Sequence, residues 1–209
     1  MTAKQKNRVV ITGLGAVTPA GRGVADLWES LKAGKSQVSK LSLFDSTTFQ
    51  TKIAAEVKNF NFEKEFKGFA KDPTIGNLNR HAQFALMAAW EAFHSSRLDR
   101  GGFDTEKFGV YFASGEGGVD FVNFANCVLS SLDPNNPAKV DKEAYIRRTH
   151  EFLNADKEME QEPGMTLYHL AKFYGARGPV FNCLTACAAS SQAIGESPAL
   201  VYVVRPCGC

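Results

Sequence analysis

The sequence predicts an α/β fold, because segments with strand patterns alternate along the chain with segments of helical periodicity. The strand segments are short apolar or β-branched runs at residues 8–12, 108–113 and 179–184. The helical segments place apolar residues three and four positions apart, at residues 24–32, 77–98 and 167–174. Alternation of this kind is typical of helices packed in layers on a sheet.

The first strand and the first helix are predicted at Arg8–Thr12 and Val24–Lys32. Gly13 and Gly15 between them have the context of a dinucleotide-binding turn. However, Thr18 replaces the third glycine of that motif, and the acidic residue expected about 20 positions later is missing. The pattern therefore argues against a Rossmann dehydrogenase.

The longest helical pattern runs from Asn77 to Leu98 and predicts a helix that packs closely against a sheet. Its apolar face consists mainly of small residues: Leu78, Ala82, Ala85, Ala88, Ala89, Ala92 and Phe93. The second strand, Phe108–Ala113, leads into Ser114–Gly118, which lacks the Lys-Ser/Thr pair of a phosphate-binding loop. This glycine-rich loop instead predicts a close backbone approach to a neighbour or a ligand.

Residues Asp133–Gly164 interrupt the alternation, because they are polar, charged and punctuated by prolines. This composition predicts a surface excursion that contains a helix from Asp141 to Leu153. A solvated excursion is the favoured interpretation, and a specific docking role is the alternative.

Cys187 is the candidate nucleophile, because it follows a predicted buried strand, Pro179–Leu184, and stands at a predicted helix start. Thr185 is expected to cap that helix. The positive end of the helix dipole and unpaired backbone amides should favour a thiolate and bind an oxyanion, which suits acyl transfer. Cys183, in contrast, fits the structural role of most buried cysteines.

The segment YGARGPVFNCLTACAASSQAIGE, Tyr174–Glu196, resembles the nucleophile region of elongating β-ketoacyl-acyl carrier protein synthases, which belong to the thiolase superfamily. Four further segments resemble the same family in order and spacing: RVVITGLGAVTPAG (8–21), LWESLKAGKS (27–36), FDSTTFQTKIAAEVKNFN (44–61) and FGVYFASGEGG (108–118). The resemblance implies the N-terminal half of a thiolase-like αβαβα layered fold. In that fold a mixed sheet carries the nucleophile at the start of a buried helix.

The same resemblance implies a 3-oxoacyl-[acyl-carrier-protein] synthase that performs a decarboxylative Claisen condensation. Cys187 would hold the acyl chain as a thioester, and malonyl-carrier protein would supply the attacking carbanion. Gly115, Glu116 and Gly117 would bind substrate beside the acyl pocket. Because Glu116 stands where fatty-acid enzymes often have an apolar residue, fatty acid and polyketide pathways both remain open.

Acyl carrier protein is the expected partner, and the full-length family is expected to form homodimers. Family members meet the carrier with basic residues before the long helix, where this chain has Lys67, Lys71 and Arg80; these also fit an ordinary solvated edge. A net charge of +2, from 24 basic and 22 acidic residues, gives no support for binding nucleic acid or membranes. The N-terminal region lacks a long apolar run, and five cysteines form no disulfide framework, which predicts a cytoplasmic protein.

No cofactor and no metal are expected. Cys207 and Cys209 form an incomplete zinc site without a second ligand pair. The four histidines are scattered in the sequence and fit packing or surface roles, whereas the resemblance places both catalytic histidines of the family in the second half of the fold. A different cysteine enzyme, such as a thiol hydrolase, would need a histidine base beside the thiol, so it ranks last.

The family-like domain is predicted over residues 1–196, with residues 133–164 as an insertion near the pocket mouth. Residues 197–209 form an atypical tail, in which Pro198 is expected to end the helix. A frame error in the coding sequence is the favoured explanation of this tail. The 209-residue chain is then expected to lack condensing activity, and a noncatalytic remnant or interaction fragment is the alternative function.

Overall fold

A computed structural model describes residues 9–66 and 78–203, with side chains through residue 198. Residues 9–66 and 83–104 form one compact unit, and residues 78–82 and 105–203 form a second. The described helices are α1 Val24–Lys32, α2 Phe62–Glu65, α3 Arg80–Ser95, α4 Phe121–Leu129, α5 Lys142–Phe152, α6 Ala155–Met159, α7 Pro163–Tyr174 and α8 Ala189–Val203. The described strands are β1 Val17–Thr18, β2 Gly21–Arg22, β3 Val38–Lys40, β4 Ile53–Ala55, β5 Val110–Ala113, β6 Leu132–Asp133, β7 Asn136–Val140 and β8 Val180–Cys183. These elements confirm the predicted α/β class.

In the first unit, the small-residue face of α3 packs against a glycine segment. A Cβ atom on Gly13 or Gly15 would overlap the carbonyl oxygens of Ala92 and Ala88. The Glu91 carboxylate reinforces this contact, because it accepts hydrogen bonds from the amides of residues 16 and 24, each at 2.9 Å. The glycines of the predicted turn therefore permit close packing of backbone on a helix.

The predicted first strand is wrong for residues 9–12, which have no regular secondary structure; Arg8 lies outside the described residues. Val9, Val10 and Ile11 are 46%, 63% and 76% exposed. A strand is held by hydrogen bonds to a neighbouring strand, and none of the strands in the described part of the chain pairs with this segment. The β-branched residues by themselves did not form a strand.

The second unit is built around the parallel pair of β5 and β8, in a register that runs from Val110↔Val180 to Ala113↔Cys183. Each of the other strand pairs within residues 9–66 and 78–203 is an antiparallel hairpin. Among the described residues, the parallel pair of β5 and β8 is the part of the expected sheet from which the glycine-rich loop and Cys187 extend. Its core is completed by buried side chains of α7 and α8: Thr166, Leu167, His169, Leu170, Tyr174, Ala189 and Ala193.

Helix α7 begins at Pro163, four residues before the predicted Leu167. Proline is favoured in the first turn, because the amide that it lacks would have no partner inside the helix. Burial raises the pKa of the Tyr174 hydroxyl, which lies at the last residue of this helix.

The predicted excursion has regular structure. β6 and β7 form a hairpin, and α5 confirms the predicted helix to within one residue at each end. The Asp141 side chain caps α5 by accepting hydrogen bonds from the amides of Glu143 and Ala144. That these residues are an insertion relative to the family stays a prediction.

The expectation that Pro198 ends the last helix is wrong, because α8 continues through it to Val203. Proline cannot donate to the carbonyl four residues earlier, but it does not prevent the following residues from bonding. The Ser197 hydroxyl donates to the Ala193 carbonyl in the same turn and so provides a local side-chain bond.

Within residues 9–66 and 78–203, no helix has both the length and the apolar character needed to cross a membrane.

Candidate active site

Cys187 lies in a tight turn between β8 and α8. The turn is a single 3₁₀ segment, Ala186–Ala188, and the Cys187 thiol is free and exposed. Ala186 has φ of 49°, in the left-handed region that residues with side chains seldom adopt. Such local strain is common where a functional side chain must be presented, so the strand–turn–helix geometry supports the prediction for Cys187.

The prediction that Thr185 caps the helix is wrong. Its side chain makes no capping hydrogen bond, and its hydroxyl donates to Gln192 Oε1 at 2.8 Å. The strained turn separates Thr185 from the first residue of α8 by three residues, Ala186–Ala188, so its side chain bonds to the next turns of the helix instead.

A hydrogen-bonded chain continues from Thr185 to the neighbouring strand. Gln192 Nε2 donates to Glu196 Oε1 at 2.9 Å, and the Tyr111 hydroxyl of β5 donates to the other carboxylate oxygen. This hydrogen bond raises the pKa of Tyr111 to about 12 and lowers the pKa of Glu196. These hydrogen bonds connect the turn, α8 and β5, and no sequence motif indicated them.

Cys183, at the end of β8, is buried at 5% exposure. Its thiol donates to the Ala189 carbonyl at 3.3 Å, across the turn that presents Cys187. Ala189 and Ala193 are buried on one side of α8, whereas Ile194 on another side is 70% exposed. The nucleophile helix is thus buried along one side among its described side chains.

The glycine-rich loop leaves the carboxyl end of β5. Ser114 bonds to β8 at this end, because its amide donates to the Cys183 carbonyl at 3.2 Å and its hydroxyl to Asn182 Oδ1 at 3.2 Å. Gly115, Glu116 and Gly117 follow and are exposed. Because β5 and β8 are parallel, the predicted substrate loop and Cys187 leave the same edge of the strand pair. Ligands of α/β folds bind at the carboxyl ends of such strands.

The excursion contributes a contact to this loop that the sequence did not show. The Gly118 amide donates to the Gln161 carbonyl at 2.9 Å, and a Cβ atom on Gly117 would overlap the same oxygen. The predicted close approach of the glycine backbone is therefore confirmed at Gly117, whereas Gly115 has open space around it.

Three of the four histidines are exposed: His81, His94 and His150. The fourth, His169, is buried, and its Nε2 lies 2.8 Å from Glu160 Oε2. In the part of the chain that the structure describes, no group of three or more His, Cys, Asp or Glu residues is arranged to hold a metal ion.

Comparison with known families establishes the relationship of this chain. The family model described as beta-ketoacyl synthase, N-terminal domain, matches residues 6–200. The chain belongs to this family. The 3-oxoacyl-[acyl-carrier-protein] synthase 2 of Staphylococcus aureus (strain N315) is 31% identical to this beta-ketoacyl synthase domain over 193 residues, 92% of this chain and 42% of the relative. The enzyme of the same name from Coxiella burnetii (strain RSA 493 / Nine Mile phase I) is 30% identical over 199 residues, 94% and 43% of the two chains. The chain thus spans less than half the length of these relatives.

Solved structures confirm the thiolase-like fold of this beta-ketoacyl synthase domain. One match is the solved structure of a type II PKS acyl-carrier protein in complex with its ketosynthase bound to the hexaketide. It matches with a TM-score of 0.66 and 26% sequence identity, and the match covers 93% of this chain and 42% of that chain. The ishigamide ketosynthase/chain length factor matches with a TM-score of 0.65 and 18% identity, over 93% and 49% of the two chains.

Proposed function

We propose that this domain carries the acyl-accepting site of a 3-oxoacyl-[acyl-carrier-protein] synthase, with Cys187 as the nucleophile. One observation carries the proposal: an exposed cysteine in a strained turn beyond β8 shares the carboxyl edge of the strand pair with the glycine-rich loop beyond β5. The names of the curated relatives support the choice of reaction.

In the first step, the Cys187 thiolate attacks the carbonyl carbon of an acyl thioester on the carrier protein. The carbon–sulfur bond to the carrier breaks, and the departing carrier thiolate takes up the proton that Cys187 released. The product is an acyl chain bound to Cys187 as a thioester. Covalent catalysis of this kind divides the condensation into two acyl transfers.

In the second step, which we propose for the whole protein, malonyl-carrier protein loses carbon dioxide. The resulting carbanion attacks the Cys187 thioester and expels the thiolate. The acyl chain leaves as a 3-oxoacyl-carrier protein that is two carbons longer. Decarboxylation supplies the electron pair for the new carbon–carbon bond, so the step needs no external reductant.

The turn also suggests which amide stabilises the tetrahedral oxyanion. The amides of Ala188 and Ala189 donate to the carbonyls of Thr185 and Ala186. The amide of Cys187 itself is therefore the donor that we assign to the oxyanion.

Acyl carrier protein is the proposed partner, and one structural neighbour is a ketosynthase in complex with a type II PKS acyl-carrier protein. Arg80, at the start of α3, is exposed and would face an acidic carrier in such a complex; Lys67 and Lys71 lie outside the described residues. A homodimer and a cytoplasmic location remain part of the proposal. The described cysteines Cys127, Cys183 and Cys187 are free, which fits a reducing compartment.

Incubation of the purified chain with an octanoyl-carrier protein tests the proposal. Intact-protein and peptide mass spectrometry should find one octanoyl group on Cys187. The label should be absent from Cys187→Ser and present in Cys183→Ser, whose hydroxyl can still donate to the Ala189 carbonyl. A folded wild-type chain that stays unlabelled would contradict acyl transfer and favour a noncatalytic fragment. Addition of malonyl-carrier protein then measures condensation separately.

A further inference from the structure

The end of the polar excursion, residues 160–163, contacts both strand exits of the candidate site. The Gln161 carbonyl accepts the Gly118 amide at 2.9 Å, which holds the loop beyond β5. The Pro163 carbonyl accepts Asn182 Nδ2 at 3.0 Å, which holds β8 shortly before the turn that carries Cys187. This segment therefore supports the glycine-rich loop and the nucleophile strand together.

A buried ionisable pair fixes this segment to the core of the second unit. Glu160 and His169 are 6% and 4% exposed, and the carboxylate oxygen lies 2.8 Å from His169 Nε2. Glu160 is the C-cap residue that follows α6, and His169 lies in the middle of α7, so their contact joins the end of α6 to α7. The Glu160 carbonyl also accepts a hydrogen bond from Asn79.

The position of this pair in the chain determines its consequence. Glu160 immediately precedes Gln161, whose carbonyl touches the glycine loop. Removal of one partner would leave the other polar group buried without its bond, so the segment would have to shift to hydrate it. A shift of residue 160 would move the Gln161 carbonyl and release the Gly118 amide.

We propose that Glu160 and His169 are positioning residues for acyl transfer: they hold Gln161 against Gly117 and Gly118 and thereby fix the glycine loop beside the acyl chain. This inference rests on the function proposed for Cys187. Residues 133–164 are then more than a solvated excursion, because their last part, residues 160–163, contacts the glycine loop and β8 at the site.

The first test is hydrogen exchange of the amides of residues 115–119, measured by mass spectrometry on the whole chain. Exchange of the Gly118 amide should be at least about tenfold faster in Glu160→Ala than in the wild type, because its hydrogen bond to the Gln161 carbonyl would be lost. The matched control is Glu162→Ala, since Glu162 is exposed and makes no side-chain cap bond. Exchange there should be unchanged. Equal exchange in folded Glu160→Ala and wild type would overturn the proposal.

The second test compares two reactions of Cys187. Octanoyl transfer should slow by about tenfold or more in Glu160→Ala, because small misplacements of a binding group are costly. Alkylation by iodoacetamide should keep its rate, since it needs the exposed Cys187 thiolate but not the glycine loop. Glu160→Gln, which retains an acceptor for His169, should recover most of the acyl transfer. A parallel loss of both reactions would indicate general damage and contradict a positioning role.

A double variant guards against unfolding of the single variants. Glu160→Met with His169→Leu replaces the buried pair by apolar side chains, an exchange that proteins often tolerate. Met and Leu make no hydrogen bond that fixes residue 160 to α7, so the folded double variant should still show fast exchange of the Gly118 amide although no buried group is left unpaired. Wild-type exchange would overturn the proposal. If the wild type accepts no octanoyl group, the proposed function fails, but the exchange experiment still decides whether the pair positions the loop.

Discussion

The rim and the base of the candidate site have opposite environments, although Cys183 of the base directly precedes residues 184–188 of the rim. The rim comprises Gly115, Glu116 and residues 184–188, all exposed, whereas the base includes Cys183, Thr166 and His169 at 5%, 1% and 4% exposure. Cys183 and Cys187 are four residues apart and illustrate the difference. A reacting atom must be reachable, but its position is only as well determined as the packing beneath it.

The largest expected difference between rim and base is in thiol reactivity. Iodoacetamide should alkylate Cys187 at least about 100-fold faster than Cys183, because a buried thiol reacts only after local opening. Peptide mass spectrometry over time measures both rates in one sample, and unfolding in about 6 M guanidinium chloride should remove the difference. Comparable rates in the folded protein would abolish the distinction between rim and base.

Two Gly→Ala substitutions in the glycine loop compare a position whose Cβ atom would contact the polar excursion with a position that has open space. Gly117→Ala should lower the free energy of unfolding by about 1–3 kcal/mol, since the new Cβ atom would overlap the Gln161 carbonyl. Gly115→Ala should have little effect, because no atom lies within 4 Å of its Cβ position. Urea denaturation measures both, and equal effects would contradict the packing described for this loop.

The base contains one polar group that should be dispensable. The Thr166 hydroxyl is buried and has no hydrogen-bond partner among the described residues. Thr166→Val should therefore raise the free energy of unfolding by about 1 kcal/mol, since an unsatisfied buried donor is removed. In the control Thr149→Val, a hydroxyl that donates to the Ile146 carbonyl at 2.7 Å is lost, and no stabilisation is expected. A destabilised Thr166→Val would show that the Thr166 hydroxyl does have a bonding partner.

The smallest effect concerns the exposed Tyr111–Glu196 hydrogen bond. The pKa of Glu196 is below its usual 4.5, so its contribution to stability is present above pH 4.5 and is lost as the pH falls through the lowered value. The pKa of Tyr111 is raised from 10.0 to about 12, so that contribution is present below pH 10 and is lost as the pH rises through about 12. Solvent screening keeps both contributions small.

Tyr111→Phe tests this directly by thermal unfolding at several pH values. The variant should be slightly less stable than the wild type near neutral pH, and the two should converge at acidic and strongly alkaline pH. Tyr168→Phe is the control, because Tyr168 is a tyrosine of the same unit and is 50% exposed. A difference between wild type and Tyr111→Phe that does not change with pH would contradict the role of the Glu196 carboxylate.

Local patterns predicted the parts of the fold that depend on neighbouring residues. The predicted helices Val24–Lys32 and Asp141–Leu153 agree with α1 and α5 of the structure. The failures share a cause: residues 9–12 lack a paired strand, Thr185 found a partner in Gln192, and α8 continues through Pro198. Each of these outcomes depends on hydrogen bonds to other parts of the structure, and the intrinsic propensity of a residue for helix or strand does not predict such bonds.

Contiguous motifs were sufficient to predict the family, the α/β class and Cys187 as the candidate nucleophile, because each of these depends on residues that are close together in the chain. The contacts that hold the site together became visible only in three dimensions. The Gly118–Gln161 hydrogen bond and the Glu160–His169 pair join segments that lie on different helices and loops. Contacts of this kind follow from packing, which leaves no periodicity or spacing in the sequence to reveal it.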